Sequence, residues 1–140
     1  MGRYKSGAHT KHRLLFHLVF RPKYRRKVLR FDLKTRLIEL FKQCCVLNDW
    51  VIHELEVMPD HVHMLIQINP KDSISDVMQY IKGGSSNVIR KEYPELEEFL
   101  WGESLWGDGY FVESVGRTTE KAIREYINQQ DKQQKRDHGL

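Results

Sequence analysis

The stretch from Asp60 to Ile66 (DHVHMLI) constrains the fold more than any other part of this 140-residue chain, because its polar and apolar side chains alternate. Successive side chains of a β-strand point to opposite faces of a sheet. One face of the predicted strand is apolar and suited to a core, and it comprises Val62, Met64 and Ile66. The other face places His61 and His63 side by side, where two imidazoles can bind one divalent metal ion.

Similar alternation predicts strands over residues 13–20, 51–57 and about 110–115. The expected core side of the second of these comprises Val51, Leu55 and Val57. The turn-forming sequence MPD joins this strand to the His61 strand as a hairpin. Pairing across the turn would set Glu56 opposite His63. A glycine, Gly116, is expected to end the last strand.

Two helices are predicted between the strands from apolar residues at helical spacing. The first covers residues 32–47. Its apolar stripe comprises Leu33, Leu37, Leu40, Phe41, Cys44 and Leu47. The second begins with a capping-box pattern at residues 73–76, and the glycine pair 83–84 is expected to interrupt it. A last helix is expected from about residue 119, followed by a frayed tail over about 131–140.

The order β-α-β-β-α-β with an appended C-terminal helix predicts an α+β fold of the ferredoxin-like (RRM-like) type, with both crossover helices on one face of an antiparallel sheet. Residues 1–140 are expected to form a single domain. Because the helices cover the apolar face, His61 and His63 are expected on the open face. His17 and Glu56, on the neighbouring strands, are candidates to support them. A surface site of this kind needs another element to cover it.

Composition excludes several classes of protein. No apolar run approaches the roughly 20 residues of a membrane span, and the polar start lacks a signal-peptide core. A cytoplasmic protein without a membrane partner is therefore expected. Cys44 and Cys45 are the two cysteines of the chain, and they are adjacent within a predicted helix. This arrangement excludes a disulfide framework and a four-cysteine zinc site, so they are expected to be packing residues.

The net charge of +4 is modest, but basic residues are concentrated in one segment. The basic residues of segment 21–30 are Arg21, Lys23, Arg25, Arg26, Lys27 and Arg30. A run of this kind is ordinarily a solvated loop, but together with Phe20 and Tyr24 it also offers phosphate contacts and a stacking face for nucleic acid. Five residues of the second helix are further candidates to contact DNA: Lys82, Ser85, Ser86, Arg90 and Lys91.

Two histidines rarely complete a metal site, and the appended helix offers both a third ligand and a reactive group. Tyr126 and Gln130 are four residues apart and so share one face of that helix. A Gln carbonyl oxygen beside two imidazoles suits Mg²⁺ or Mn²⁺, and a phenolic oxygen next to a metal-polarised phosphodiester can act as a nucleophile. The alternatives are that Tyr126 packs in the core and that Gln130 is a solvated helix residue.

Five motifs in a fixed order resemble the TnpA-type transposases, which are single-tyrosine HUH enzymes of insertion sequences that transpose as single-stranded DNA. They are residues 20–26 (FRPKYRR), 58–63 (MPDHVH), 82–86 (KGGSS), 105–106 with 109–111 (LW and GYF), and 126–130 (YINQQ). The resemblance extends over nearly the whole chain and includes its length. It is therefore much more specific than two histidines on a strand.

The resemblance implies a role for each site residue. His61 and His63 correspond to the two histidines of the HUH motif, and Gln130 corresponds to the third ligand of a Mg²⁺ or Mn²⁺ ion. Tyr126 corresponds to the nucleophile that attacks single-stranded DNA, giving a 5′-phosphotyrosine and a free 3′-OH. Members of the family are homodimers that recognise imperfect hairpins near the element ends. They commonly exchange the tyrosine helix, so that Tyr126 would act at the histidines of the other subunit.

Three other functions are open from the sequence. A repeat-associated tyrosine transposase that acts on chromosomal hairpins would have the same site. A nonenzymatic, single-strand nucleic-acid-binding ferredoxin-like module would present aromatic residues on its open face, where this chain has His61 and His63. A replication initiator or relaxase would ordinarily need a longer chain with accessory domains.

Overall fold

Four strands form a single sheet in the computed structural model, which describes residues 13–118, 125 and 127–129. The strands are β1 (Arg13–Phe20), β2 (Val51–Met58), β3 (His61–Ile68) and β4 (Phe111–Thr118). Their order across the sheet is β2-β3-β1-β4, and every neighbouring pair is antiparallel. The strand with the two histidines is therefore central, with a neighbour on each side.

The helices pack against one face of this sheet. They are α1 (Phe31–Leu47), α2 (Ile74–Glu92) and the short α3 (Glu97–Leu100). Apolar residues of α1 and α2 and alternate residues of the strands form one core. Its largest fully buried side chains include Phe20, Phe41, Met64, Ile66, Met78 and Trp106. The predicted α+β, ferredoxin-like arrangement is confirmed, and within the described ranges no helix is long and apolar enough to cross a membrane.

The β2–β3 hairpin confirms the predicted pairing and corrects one face of β2. Glu56 pairs with His63 across a two-residue turn, as predicted. A register shift between Ile52 and Glu54 forms a β-bulge. A bulge adds one residue to a strand, so the side chains that precede it change faces. Ile52 therefore packs against the core in place of the predicted Val51.

Two expectations for the helices are wrong in detail. α2 continues through Gly83 and Gly84, because residues on both sides of the pair pack on the same core and offset the roughly 1 kcal/mol cost of each glycine. In α1, Leu47 is 77% exposed, and Cys45 is the buried cysteine. Burial raises the pKa of Cys45 to about 12, so its thiol stays protonated and packs as a small apolar side chain.

β4 continues through Gly116 to Thr118, beyond its predicted end. The register between β1 and β4 shifts at Leu15 and Phe16, which leaves Val115 as an extra residue in β4. This residue joins a small apolar cluster on the face opposite the helices. The cluster comprises Leu15, Leu65, Val115 and Ile127. One end of the open face is thus covered by apolar contacts, whereas the end with His61 and His63 is partly exposed.

Candidate active site

Three histidines lie together on the sheet face opposite α1 and α2. His61 and His63 project from β3, and His17 projects from the neighbouring β1, as predicted. The ring centroids of His61 and His63 are 4.9 Å apart, and those of His17 and His63 are 5.5 Å apart. The Nδ1 atom of His63 lies 3.5 Å from Nε2 of His17. All three side chains are partly exposed, so the cluster is accessible to an incoming ligand.

Asp60, which was predicted only as a turn residue, orients one of the rings. Its Oδ1 atom accepts a 2.7 Å hydrogen bond from Nδ1 of His61. A neutral imidazole that donates through Nδ1 has its lone pair on Nε2, so this contact prepares Nε2 of His61 to bind a metal. The hydrogen bond from His61 is also the main reason that the pKa of Asp60 is lowered. An acidic residue directly before the first histidine is the sequence signal for this role.

The other two histidines are held neutral. Burial is the largest of several causes that lower the pKa of His63 to about 4, and the remaining causes are nearby positive charges. They are the guanidinium of Arg21 and the protonated forms of His61 and His17. Burial also lowers the pKa of His17, against a smaller opposing effect of Glu113. His63 and His17 are therefore neutral at pH 7 and have a ring lone pair to offer a metal ion.

The donor atoms of the described residues fit a metal ion but do not complete a site. His61 and His63 present two imidazole rings side by side, of which one is oriented by Asp60. Within the described ranges, no group of three or more His, Cys, Asp or Glu side chains is arranged to bind a metal. A complete site therefore needs a further donor. Tyr126 and Gln130, the predicted nucleophile and third ligand, lie outside the described residues, and their roles stay predictions.

A helical segment near the C-terminus contacts the histidine face. Glu125 and residues 127–129 are helical. Ile127 packs against the cluster of Leu15 and Leu65. Leu65 is two residues after His63 on β3 and therefore points to the same face. The residue next to the predicted nucleophile thus lies against the sheet face that presents the histidines.

Ser85 and Ser86 on α2 are buried and stabilise the structure. The Oγ atom of Ser85 accepts a 2.9 Å hydrogen bond from Nε1 of Trp106 and donates to the backbone oxygen of Ile81 at 2.6 Å. The Oγ atom of Ser86 accepts a 2.9 Å hydrogen bond from the backbone nitrogen of Leu105. Only 4% of Ser85 and 5% of Ser86 is exposed. The prediction that these two hydroxyls contact DNA is wrong, because neither reaches the surface.

Two basic residues of α2 also have partners within the molecule. The Nζ atom of Lys82 donates to the backbone oxygens of Gly107 and Gly109 at 3.0 and 2.9 Å, and burial lowers its pKa. Arg90 forms a 2.8 Å ion pair with Glu97. A phosphate would have to compete with these partners for either side chain.

Segment 21–30 keeps most of its charges exposed. The exposed basic residues of this segment are Arg25, Arg26, Lys27 and Arg30. Lys91 of α2 is exposed as well, so these five residues are candidates for phosphate contact. Tyr24 is also exposed, whereas the Nζ atom of Lys23 forms a 2.8 Å ion pair with Glu103. The segment therefore presents a positively charged surface with an aromatic ring, which suits the predicted contact with nucleic acid. Phe99, next to this ring, was not predicted, because the two residues are far apart in sequence.

Segment 21–30 starts beside the histidines. The last register pair of β1 and β3 joins Phe20 to Val62, so Arg21 follows at the level of His61. The backbone oxygen of Arg21 accepts a 2.9 Å hydrogen bond from the nitrogen of Gly107. The side chain of Arg21 has no hydrogen bond or ion pair to another described residue. The positive segment therefore begins next to the histidine cluster, at Arg21.

Residues 10–130 match the family described as "Transposase IS200 like". The transposase for insertion sequence element IS200 from Salmonella typhimurium is 37% identical over 130 residues, which is 93% of this chain and 85% of that protein. The ISDra2 transposase TnpA from Deinococcus radiodurans is 35% identical over 126 residues, which is 90% of each protein. Both matches extend over nearly the full length of the two chains that are compared.

Solved structures agree with these relatives. A candidate transposase from Deinococcus radiodurans R1 superimposes with a TM-score of 0.69 at 33% identity, covering 84% of this chain and 91% of that one. A REP-associated tyrosine transposase bound to a REP hairpin gives a TM-score of 0.59 at 14% identity, covering 81% of this chain and 62% of that one, and so shares the fold. Because the family match includes the histidine strand and nearly the whole chain, this protein belongs to the IS200-like transposase family.

Proposed function

We propose that this transposase cleaves and rejoins single-stranded DNA at the ends of its insertion sequence through a 5′-phosphotyrosine intermediate at Tyr126, with a divalent metal ion. The observation that supports this most is the pair His61 and His63 on the open sheet face, with Asp60 bonded to one ring. The contact of Ile127 with the same face adds support, because this residue follows Tyr126 in the chain.

The proposed reaction exchanges one phosphodiester for another. The phenolic oxygen of Tyr126 attacks the scissile phosphorus, and the bond from phosphorus to O3′ breaks. The phenolic proton passes to solvent, and the departing O3′ takes up a proton. Because a phosphodiester is retained, a free 3′-OH can attack the phosphotyrosine and reverse the step without ATP. Cleavage and strand joining therefore use the same site.

His61, His63 and Gln130 would bind the metal ion. Two imidazole nitrogens and one amide oxygen leave positions for water and phosphate, which suits Mg²⁺ or Mn²⁺. When bound there, the metal would stabilise negative charge on a non-bridging oxygen of the scissile phosphate. The hydrogen bond from His61 to Asp60 supports this role, because it fixes the ring that would donate Nε2.

The proposed DNA surface is the positive segment 21–30 beside the histidines. Arg21 would contact the DNA backbone near the cleavage point, and the exposed basic residues after it would contact the flanking phosphates. Recognition of hairpins is proposed because a transposase of the same fold is solved in complex with a REP hairpin. The identity of 37% to an IS200 transposase, against 14% to the REP-associated protein, favours the element's own ends over chromosomal repeats.

A homodimer with exchanged tyrosine helices is also proposed. β4 lies at one edge of the described sheet, and its residues Phe111 and Val112 are 56% and 36% exposed. An open edge of this kind has unpaired backbone groups and can pair with a second copy. Since β4 leads towards Tyr126, pairing at this edge would bring the tyrosine helix of one subunit near the histidines of the other.

Incubation with labelled single-stranded hairpin DNA from the element ends, in Mg²⁺ or Mn²⁺, tests the function. A covalent protein–DNA adduct that survives denaturing gel electrophoresis is expected, and EDTA should prevent its formation. Tyr126→Phe should remove the adduct and retain DNA binding, because it deletes only the attacking oxygen.

Tyr110→Phe provides the matched control, since Tyr110 lies directly before β4, is 39% exposed and has no proposed covalent role. This variant should form the adduct at the normal rate. An undiminished adduct in Tyr126→Phe would show that another residue is the nucleophile.

A further inference from the structure

We propose that Tyr24, Phe99 and Arg26 form a stacking site for an unpaired nucleobase of single-stranded DNA. The proposal rests on the function proposed above, because it assumes that the strand cleaved at the histidines continues over segment 21–30. It assigns this part of the surface a ligand of definite chemistry, a planar base, in addition to the phosphate contacts expected of its arginines.

The three side chains form one aromatic and cationic group. The rings of Tyr24 and Phe99 meet edge to face, with their centroids 6.5 Å apart. The guanidinium carbon of Arg26 lies 4.7 Å from the centroid of Phe99. Phe99 packs partly against the core and so anchors the group, whereas Tyr24 is 65% exposed. The exposed ring is therefore available to a second planar group.

The backbone holds Tyr24 outward in an uncommon conformation. Tyr24 and Arg25 have φ angles of 59° and 54°, in the left-handed region that residues with a Cβ rarely adopt. The turn is fixed on its N-terminal side, where the backbone nitrogen of Lys23 donates to Leu105 at 2.8 Å and its Nζ atom pairs with Glu103. The tertiary contacts thus hold the backbone of this turn in a conformation that local chain preference opposes.

The stacking site is close enough to the histidines to bind the same DNA strand. Arg21 lies at the level of His61, and Tyr24 follows three residues later. Three residues of chain span at most about 11 Å, which is one or two nucleotide steps. A strand with its scissile phosphate at the histidines can therefore reach Tyr24 within a few nucleotides.

The chemistry of the group favours an unpaired base. Aromatic rings stack on bases of any sequence, and a guanidinium beside a ring adds cation–π attraction to the base and charge attraction to its phosphate. Bases inside a hairpin stem are already stacked on both sides and leave no free face. The single-stranded DNA that flanks the stem is thus the part that fits.

Binding of two oligonucleotides with equal backbone charge tests the proposal. One is an oligothymidylate of about 12 nucleotides, and the other has the same length with every base removed. Fluorescence anisotropy with the full chain in EDTA measures both affinities without cleavage, so the result does not depend on Tyr126 or on the metal. The wild type should prefer the oligothymidylate by roughly 5- to 150-fold, as expected for stacking of one base.

Tyr24→Leu should lose most of this preference and keep its affinity for the abasic strand. Tyr80→Leu is the matched control, because Tyr80 is an equally exposed tyrosine on α2, at 59% against 65%, and should leave both affinities unchanged. Arg26→Gln should lower the affinity for both oligonucleotides, because the arginine also attracts the phosphates. Tyr24→Trp should retain or increase the preference, and it replaces Tyr24→Leu if the leucine variant unfolds. The proposal would be overturned if the wild type bound both oligonucleotides with equal affinity. It would also be overturned if Tyr24→Leu kept the wild-type ratio of the two affinities, or if Tyr24→Trp bound both equally.

Discussion

The two faces of the central strand β3 differ in what their side chains do. Val62, Met64 and Ile66 are fully buried against the helices. His61 and His63, each one residue away from this set, are partly exposed on the other face, where Asp60 orients one ring. Adjacent residues of the rigid strand therefore lie in different environments, one set in the core and the other on the open face of the sheet. The helix face is thus expected to determine stability and the histidine face to determine chemistry.

The largest effect expected is on the histidine face. His61→Ala should lower the rate of adduct formation by roughly 10²- to 10³-fold, because it removes one of two imidazole ligands from the proposed metal site. Its free energy of unfolding should stay within about 1 kcal/mol of wild type, since the side chain is partly exposed. Gel assays of the adduct and urea unfolding measure the two quantities. Loss of several kcal/mol of stability in this variant would contradict the division between the faces.

The converse change is on the helix face of the same strand. Met64→Ala should lower the free energy of unfolding by about 2–5 kcal/mol, because it leaves a cavity in a fully buried site. Urea unfolding measures this loss. At a temperature where the variant is folded, it should form the adduct at close to the normal rate. A specific loss of adduct formation in folded Met64→Ala would mean that the two faces are coupled.

The buried hydrogen bond between Ser85 and Trp106 on the helix side provides a second test of the division between stability and chemistry. Ser85→Ala should cost about 1–3 kcal/mol of stability, because it leaves the buried indole nitrogen of Trp106 without its acceptor. Thermal and urea unfolding measure the cost. In the background of Trp106→Phe, which has no indole nitrogen, the same serine change should cost much less. Equal costs in both backgrounds would show that Ser85 does not stabilise the protein through Trp106. Reduced DNA affinity in Ser85→Ala would indicate that Ser85 contacts DNA.

The smallest effects expected concern surface charges. Arg25 is exposed, whereas Arg90 is paired with Glu97. A plot of log affinity against log salt concentration has a negative slope. Arg25→Gln should make this slope less steep by about one, as expected for one lost phosphate contact. Arg90→Gln should change it little. Anisotropy titrations over a range of salt concentrations measure both slopes, and a larger change for Arg90→Gln would reverse the assignment.

Much of the fold follows from short-range patterns. The alternation in residues 61–66, the turn before it and the helical stripes are sufficient for the order of elements and for the pairing of Glu56 with His63. Their errors have local physical causes. A bulge exchanges Val51 for Ile52 on the core face, and packing carries α2 through a glycine pair that would end an isolated helix.

The candidate site was predictable only in part. His61 and His63 were predictable as neighbours, because the two-residue repeat of a strand by itself places them on the same face. The motif at residues 82–86 predicts a DNA contact for its serines, whereas in the structure they bond to Trp106 and Leu105. A hydroxyl has the same donors and acceptors in a core and on a surface, so the residue type alone cannot decide between these roles.

Residue identity and spacing along the chain were enough to define the strand with His61 and His63, the basic composition of segment 21–30 and the family. Folding established which cations are exposed and which are paired, and it brought Tyr24 next to Phe99. Pairing and burial depend on which distant residues meet, and that outcome is fixed by packing of the whole core and not by any local pattern.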